Sequence, residues 1–396
     1  MEFYLAKGEQ GNKSVAFDDL FLTRTMPTTA GSKMLDGYMS LFDAEVLRLM
    51  TEAGFSLGGK AKVGEFGIDL LGETCYQGAC GENGKLIYAP CALVKSGEAL
   101  ASLCVDVNGA PRRGAAQSEL VYLKPTYGTV SRFGLVGVAS SGDTVGICAN
   151  ASSTVREILA AIAHHDDQDG TSLPENVCVS VNAEKDTKKV ALLSDFVSKC
   201  DDEVKAKIAA AVETLKKSGV EVVEIQSEEI AAARVAWNIL MSAETCNNVS
   251  RFDGVKYGYR TQNFTNIDEL YTGSRTEAFG DLIKTCILFG SETLSTDNYM
   301  KQYDKSLRIR RVICEKFASL FKEFDAVLLP AGSKMSYGMD EVKADPTLCY
   351  VENEFTAPAS ITGLPALVAG GVQFIADAFD EGKLLAIAEM IEKEGK

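Results

Sequence analysis

One stretch constrains this chain more than any other: LASLCVDVNGAPRRGAAQSELVYLKPTYGTVSRFGL, from Leu100 to Leu135. Its opening residues, through Asp106, are apolar and predict a short buried strand. The turn Asn108-Gly109-Ala110-Pro111 breaks that strand, and Arg112, Arg113 and then Lys124-Pro125-Thr126-Tyr127-Gly128 follow. A strand that runs into a sharp glycine turn is where an α/β enzyme often exposes a nucleophile. Here the turn presents Ala110, a bare methyl group.

The rest of the chain reads as alternating strands and helices. Phe3–Leu5 is a short apolar piece, and after a glycine-rich gap Val15–Leu22 predicts a strand with Asp18 and Asp19 at its centre. Asp43 stands where an N-cap would, ahead of a helix whose apolar face is Val46, Leu47, Leu49 and Met50, and Gly54 closes it. Phe55–Lys60 predicts a strand, while 89–101 and 152–163 have helical spacing. The run His164-His165-Asp166-Asp167-Gln168-Asp169-Gly170 predicts a solvated turn, because consecutive loop residues rarely converge on one ion. Lys188–Leu193, Asp201–Ser218 and Val220–Ile225 form a β-α-β pattern, which implies a parallel pair joined by a right-handed crossover. Helices dominate from about 228 to 324, a strand follows at Ala326–Pro330, and Val368–Phe379 predicts one more strand or pair. The last element is an amphipathic helix from Lys383 to Lys393. No repeat, low-complexity tract or linker interrupts the pattern, so the expectation is a single domain over 1–396 with a helical elaboration at about 228–324.

Charge and cysteine usage narrow the function classes. The formal net charge is −15, with acids spread along the chain. That argues against direct nucleic-acid binding, which needs clustered Lys and Arg. No apolar run has membrane-spanning length, and MEFYLAKGEQ lacks the charge-then-apolar pattern of a signal peptide. The eleven cysteines are scattered, with Cys75 and Cys80 the closest pair, and only two histidines are present. The expectation is a cytoplasmic protein with reduced thiols and neither metal nor cofactor.

KPTYGTVSRFGLV at 124–136 and ASSGDTVG at 139–146 resemble the amidase signature family, within it the A subunit of the glutamyl-tRNA(Gln)/aspartyl-tRNA(Asn) amidotransferase. TTAGSKML at 28–35, FDAEV at 42–46, GGKAKVGEF at 58–66, RFDGVKYGYRTQN at 251–263, EAFG at 277–280 and TAPASITGLPAL at 356–367 extend the resemblance in the same order. It implies an α/β/α fold around a large mixed sheet, with the family's N-terminal helical lead-in missing. It also implies partner subunits, since the A subunit works in a complex with two others.

The resemblance also locates the catalytic positions. The family hydrolyses amides with a Lys, a relay Ser and a nucleophilic Ser, and backbone N–H groups of the glycine turn hold the oxyanion. The nucleophile string D-T-G-G-S-I-R falls on Asp106-Val107-Asn108-Gly109-Ala110-Pro111-Arg112, so the serine position is Ala110. The glycine-serine loop falls on 83–90 and puts the relay at Leu86, and the lysine string puts the base at Asp18. The substrate-binding K-R-R-I reads Lys284-Thr285-Cys286-Ile287, and the nearby N-D acid corresponds to Glu354 after Asn353.

Two readings follow. One is a catalytically inactive homologue acting as a scaffold or regulatory subunit. The other is an enzyme with a remodelled cleft for a small amide or carboxylate, drawing on Asp18, Asp19, Cys104, Asp106, Asn108, Gly109, Arg112, Arg113 and Glu354, or an amidotransferase A subunit in complex. Against new chemistry stands a plain structural role, in which Asp106 caps the turn and the arginines pair with acids such as Asp18. A filled pocket behind Leu86, Tyr88 and Pro90 favours the scaffold, and an open one lined by Asp18 and Arg112 favours a ligand.

Overall fold

The computed structural model describes residues 2–394. Its frame is an eleven-stranded mixed sheet whose strands are drawn from almost the whole length of the chain. The strands are β1 (Tyr4–Lys7), β2 (Ser14–Asp18), β3 (Ser56–Ala61), β6 (Ala101–Asp106), β7 (Val121–Lys124), β8 (Thr144–Ala149), β9 (Lys189–Leu193), β10 (Glu221–Ile225), β11 (Ala326–Leu329), β12 (Ala366–Ala369) and β13 (Val372–Ala376). A separate two-stranded hairpin pairs β4 (Gly81–Glu82) with β5 (Lys85–Leu86). The sheet order is β1-β3-β2-β6-β8-β7-β12-β13-β11-β9-β10.

Parallel pairs lie towards the two ends, β3-β2-β6 and β11-β9-β10, while β6 through β11 are joined antiparallel. The parallel β9-β10 pair, linked by the helix Asp202–Lys217, is the β-α-β unit that the sequence pattern predicts. The central strands are buried along their full length, so their apolar runs need no alternation: both faces are covered by helices.

Two local expectations need correcting. Helix Glu45–Glu52 starts at Ala44, which makes no side-chain cap. Asp43 instead accepts hydrogen bonds from Arg24 N (2.8 Å) and Thr23 Oγ1 (2.9 Å), and forms an ion pair with Arg24 Nε at 2.8 Å. It pins the loop before the helix, a long-range use of a cap-type residue. The strand around Asp18 also stops early. Ser14–Asp18 is extended, and the chain then turns, with Leu20 N donating to Asp18 Oδ1 at 3.0 Å.

The helical elaboration comprises Ala233–Asn248, Ile267–Ala278, Asp281–Thr293 and Tyr303–Leu320. Trp237, the only tryptophan, is fully buried on the first of these. Its ring lies where a side chain at Gly142 would be, which explains a glycine at that position. Its Nε1 donates to Asn108 Oδ1 at 3.1 Å, so the elaboration reaches the glycine turn of the sheet.

Candidate functional site

β6 delivers the chain to the glycine turn, and helix Ala110–Ser118 leaves it. Gly109 is the residue before that helix and has φ +87°, a left-handed conformation that suits glycine. A Cβ there would also overlap Thr356 on helix Leu348–Thr362, so Thr356 packs directly over the turn. Its hydroxyl donates to Asn108 O at 3.1 Å. Asn108 is held on two further sides, with Nδ2 donating to Ile68 O at 2.8 Å and Oδ1 accepting from Trp237.

Asp106 and Arg112 meet as a fully buried ion pair. Arg112 Nε donates to Asp106 Oδ2 at 2.9 Å and Nη2 donates to Oδ1 at 3.0 Å. The other N–H groups donate to Ser360 Oγ (2.7 Å), Thr356 O (2.8 Å) and Gln373 Oε1 (2.9 Å). All five guanidinium donors are thereby used, which is what a buried arginine requires. Tyr122 adds a hydrogen bond to Asp106 Oδ2 at 3.2 Å. Asp106 therefore does not cap the turn; it anchors Arg112.

Nor do the arginines pair with Asp18. Arg113 donates to carbonyls of Leu70 (3.1 Å), Asp69 (3.3 Å) and Asn108 (3.0 Å), and to Thr356 Oγ1 (3.0 Å). Its guanidinium fastens the loop after Ile68 to the turn.

Asp18 is fully buried at the end of β2, with Oδ1 on Leu20 N and Oδ2 on Val105 N at 2.6 Å. Regular β2/β6 pairing ends at Phe17 and Leu103, so the Asp18 carboxyl extends the ladder past its last backbone pair. Burial outweighs those two hydrogen bonds and pushes the carboxyl up to about 7, with neighbouring Asp19 adding to the rise. Lys60 on β3 is also fully buried. It pairs with Asp19 Oδ1 at 3.2 Å and donates to Thr28 Oγ1, while burial pulls its ammonium below the usual lysine range. The string containing Lys60 stands out in the sequence, but its pairing does not, because the partner, Asp19, comes from the turn that follows β2.

Leu86 is buried in an apolar cluster with Leu70, Leu71, Tyr88, Cys91 and Ala110. Cys104 shares that cluster, and burial raises its thiol well above the usual value, leaving it unreactive. Asp18, Arg112 and Ala110 thus line no open cavity; all are 1% exposed or less. Glu354 lies apart from this group. It pairs with Lys199 and, at 3.7 Å, with Arg234 at the edge of its helix. Its neighbour Asn353 donates to Asn238 Oδ1 at 2.6 Å.

Among the described residues no cluster of three or more His, Cys, Asp and Glu is arranged to hold a metal ion. Cys75 and Cys80 are both free and buried. No helix among the described residues is long and apolar enough to cross a membrane.

A family profile described as Amidase matches residues 14–385. The chain belongs to the amidase family. Similarity within the amidases runs nearly end to end. The chain is 34% identical to the A subunit of glutamyl-tRNA(Gln) amidotransferase from Coxiella burnetii, covering 98% of this chain and 86% of that protein. It is 32% identical to the A subunit of the same name from Lactobacillus gasseri, over 99% and 86%. The crystal structure of the A subunit of glutamyl-tRNA(Gln) amidotransferase from Thermotoga maritima superposes with a TM-score of 0.81 at 27% identity, covering 98% of this chain and 87% of that one. The amidase fold, a large mixed sheet flanked by helices, is therefore shared.

Proposed function

We propose that this chain is a non-hydrolysing member of the amidase family that serves as a scaffold or regulatory subunit beside amidotransferase-like partners. The observation that carries the reading is the occupancy of the three motif positions. Asp18 has both carboxyl oxygens committed to backbone N–H groups, Leu86 is packed in an apolar cluster, and Ala110 is a methyl group. Without a nucleophile no acyl-enzyme can form, and without a base nothing takes up the proton that an attacking hydroxyl must lose. Thr356 and Arg113 on the glycine turn support the same reading, because they occupy the approach to its backbone.

The partner half of the proposal rests on the relatives, which are named as one subunit of a larger enzyme. We also read the chain as a single domain, since strands from both ends join one sheet, and as cytoplasmic, in keeping with eleven free thiols.

The test is ammonia release from glutamine and asparagine, by the purified chain alone and mixed with amidotransferase partner subunits. Background rates together with a stable complex are the expected result. Turnover that disappears on Asp18→Asn or Cys104→Ala would overturn the proposal.

A further inference from the structure

The apolar cluster around Leu86 does not close completely. On its outer side lies a cavity of about 320 Å³, within the size range of small-molecule sites. Its walls are Ala79, Leu86, Leu282, Met339, Val342 and Pro346, contributed by the β4-β5 hairpin region, the start of helix Asp281–Thr293, and helix Met339–Ala344 with the loop after it.

The polar groups on the cavity differ in whether they are already used. Glu73 accepts from Leu70 N and Leu71 N, both at 2.8 Å, and burial pushes its carboxyl up to about 8. Thr74 Oγ1 donates to Asp69 at 2.7 Å. Asp281 is fully exposed and faces Lys284 at 3.6 Å. Lys343 is exposed and has no ion pair or side-chain hydrogen bond among the described residues. Gly280, the residue before helix Asp281–Thr293, also lies in the wall, with its N–H already donated to Glu65 Oε2 at 2.9 Å.

An apolar chamber with one uncommitted cation at its mouth fits one ligand chemistry. We infer that this cavity binds a small monocarboxylate with an apolar body, the hydrocarbon against Leu86, Leu282 and Val342 and the carboxylate on Lys343. Binding needs no hydrolysis and does not depend on the scaffold reading. It would couple the hairpin, the helical elaboration and helix Met339–Ala344 through one occupant.

The experiment is calorimetric titration of the full chain with octanoate, hexanoate and uncharged octanamide, ammonia release being followed separately. Octanoate is expected to bind at one site. Loss of two methylenes in hexanoate should weaken binding by about fifteenfold if both are buried. Octanamide should bind about two- to fivefold more weakly than octanoate, and Lys343→Met should bring octanoate down to the octanamide level. Ala79→Leu, which enlarges a side chain of the wall, should weaken all three ligands. Lys343 is a surface residue, so its variant keeps the fold, and matching melting curves verify this. No octanoate binding at millimolar concentration, or binding that Ala79→Leu leaves unchanged, overturns the site. Binding that Lys343→Met leaves unchanged overturns the carboxylate assignment.

Discussion

Asp18 offers a way to separate hydrogen bonding from charge within one side chain. Its folded carboxyl sits at about 7, and an unfolded aspartate titrates near 3.9. The sign follows from linkage: a carboxyl raised on folding stabilises the protein below its unfolded value, and that contribution is lost as pH rises through about 7. With each unit worth about 1.4 kcal/mol, the full span comes to about 4 kcal/mol, of which about 3 kcal/mol falls between about pH 5 and about pH 8. Asp18→Asn abolishes that slope at a fixed cost. The amide has one acceptor oxygen where Asp18 uses two, so either Leu20 N or Val105 N loses its partner, at about 1–3 kcal/mol. Relative to the parent, the variant should therefore gain about 3 kcal/mol of stability between about pH 5 and about pH 8, and should be the more stable of the two by about pH 8. The assay is urea unfolding across that range, followed by the fluorescence of buried Trp237. Glu65 and Glu73, raised to about 7 and about 8, slope in the same direction, but they cancel in the difference between the two proteins. A difference in stability that stays constant with pH would refute the assignment of a near-neutral titration to Asp18.

Further expectations concern the turn and its anchor. Arg112→Met leaves Asp106 buried without its counter-charge and should lower stability by about 3–5 kcal/mol, read as a fall in the urea midpoint. Gly109→Ala should cost about 1–2 kcal/mol from the left-handed backbone alone, with more from overlap with Thr356, measured in the same way. Ala110→Ser should leave ammonia release from glutamine at background, since a hydroxyl placed there still lacks a base; a clear gain would show that some other group supplies one.

Much of the architecture is legible in the sequence because it is local. The β9-β10 crossover unit announces itself by two apolar runs flanking an amphipathic helical pattern, and the structure places strand, helix and strand where the pattern predicts. The glycine turn and the two arginines stand out in the same way. Their partners do not, because Arg112 and Arg113 reach Thr356, which lies over two hundred residues away. Charge alone suggests pairing with Asp18, yet Asp18 lies where backbone N–H groups end a ladder and outcompete a distant guanidinium. Trp237 over the turn carries no sequence signal beyond being the only residue of its kind.

The three motif positions fall in two neighbourhoods: a strand clamp at Asp18, and one apolar cluster that holds both Leu86 and Ala110. On the proposed reading, a lysine in place of Asp18 would break the clamp and a serine in place of Leu86 or Ala110 would put a hydroxyl into that cluster, and none of the three alone supplies both a nucleophile and a base. If that reading holds, a route to hydrolysis crosses several unrewarded steps, and changes in what such a chain binds are the more accessible direction of divergence.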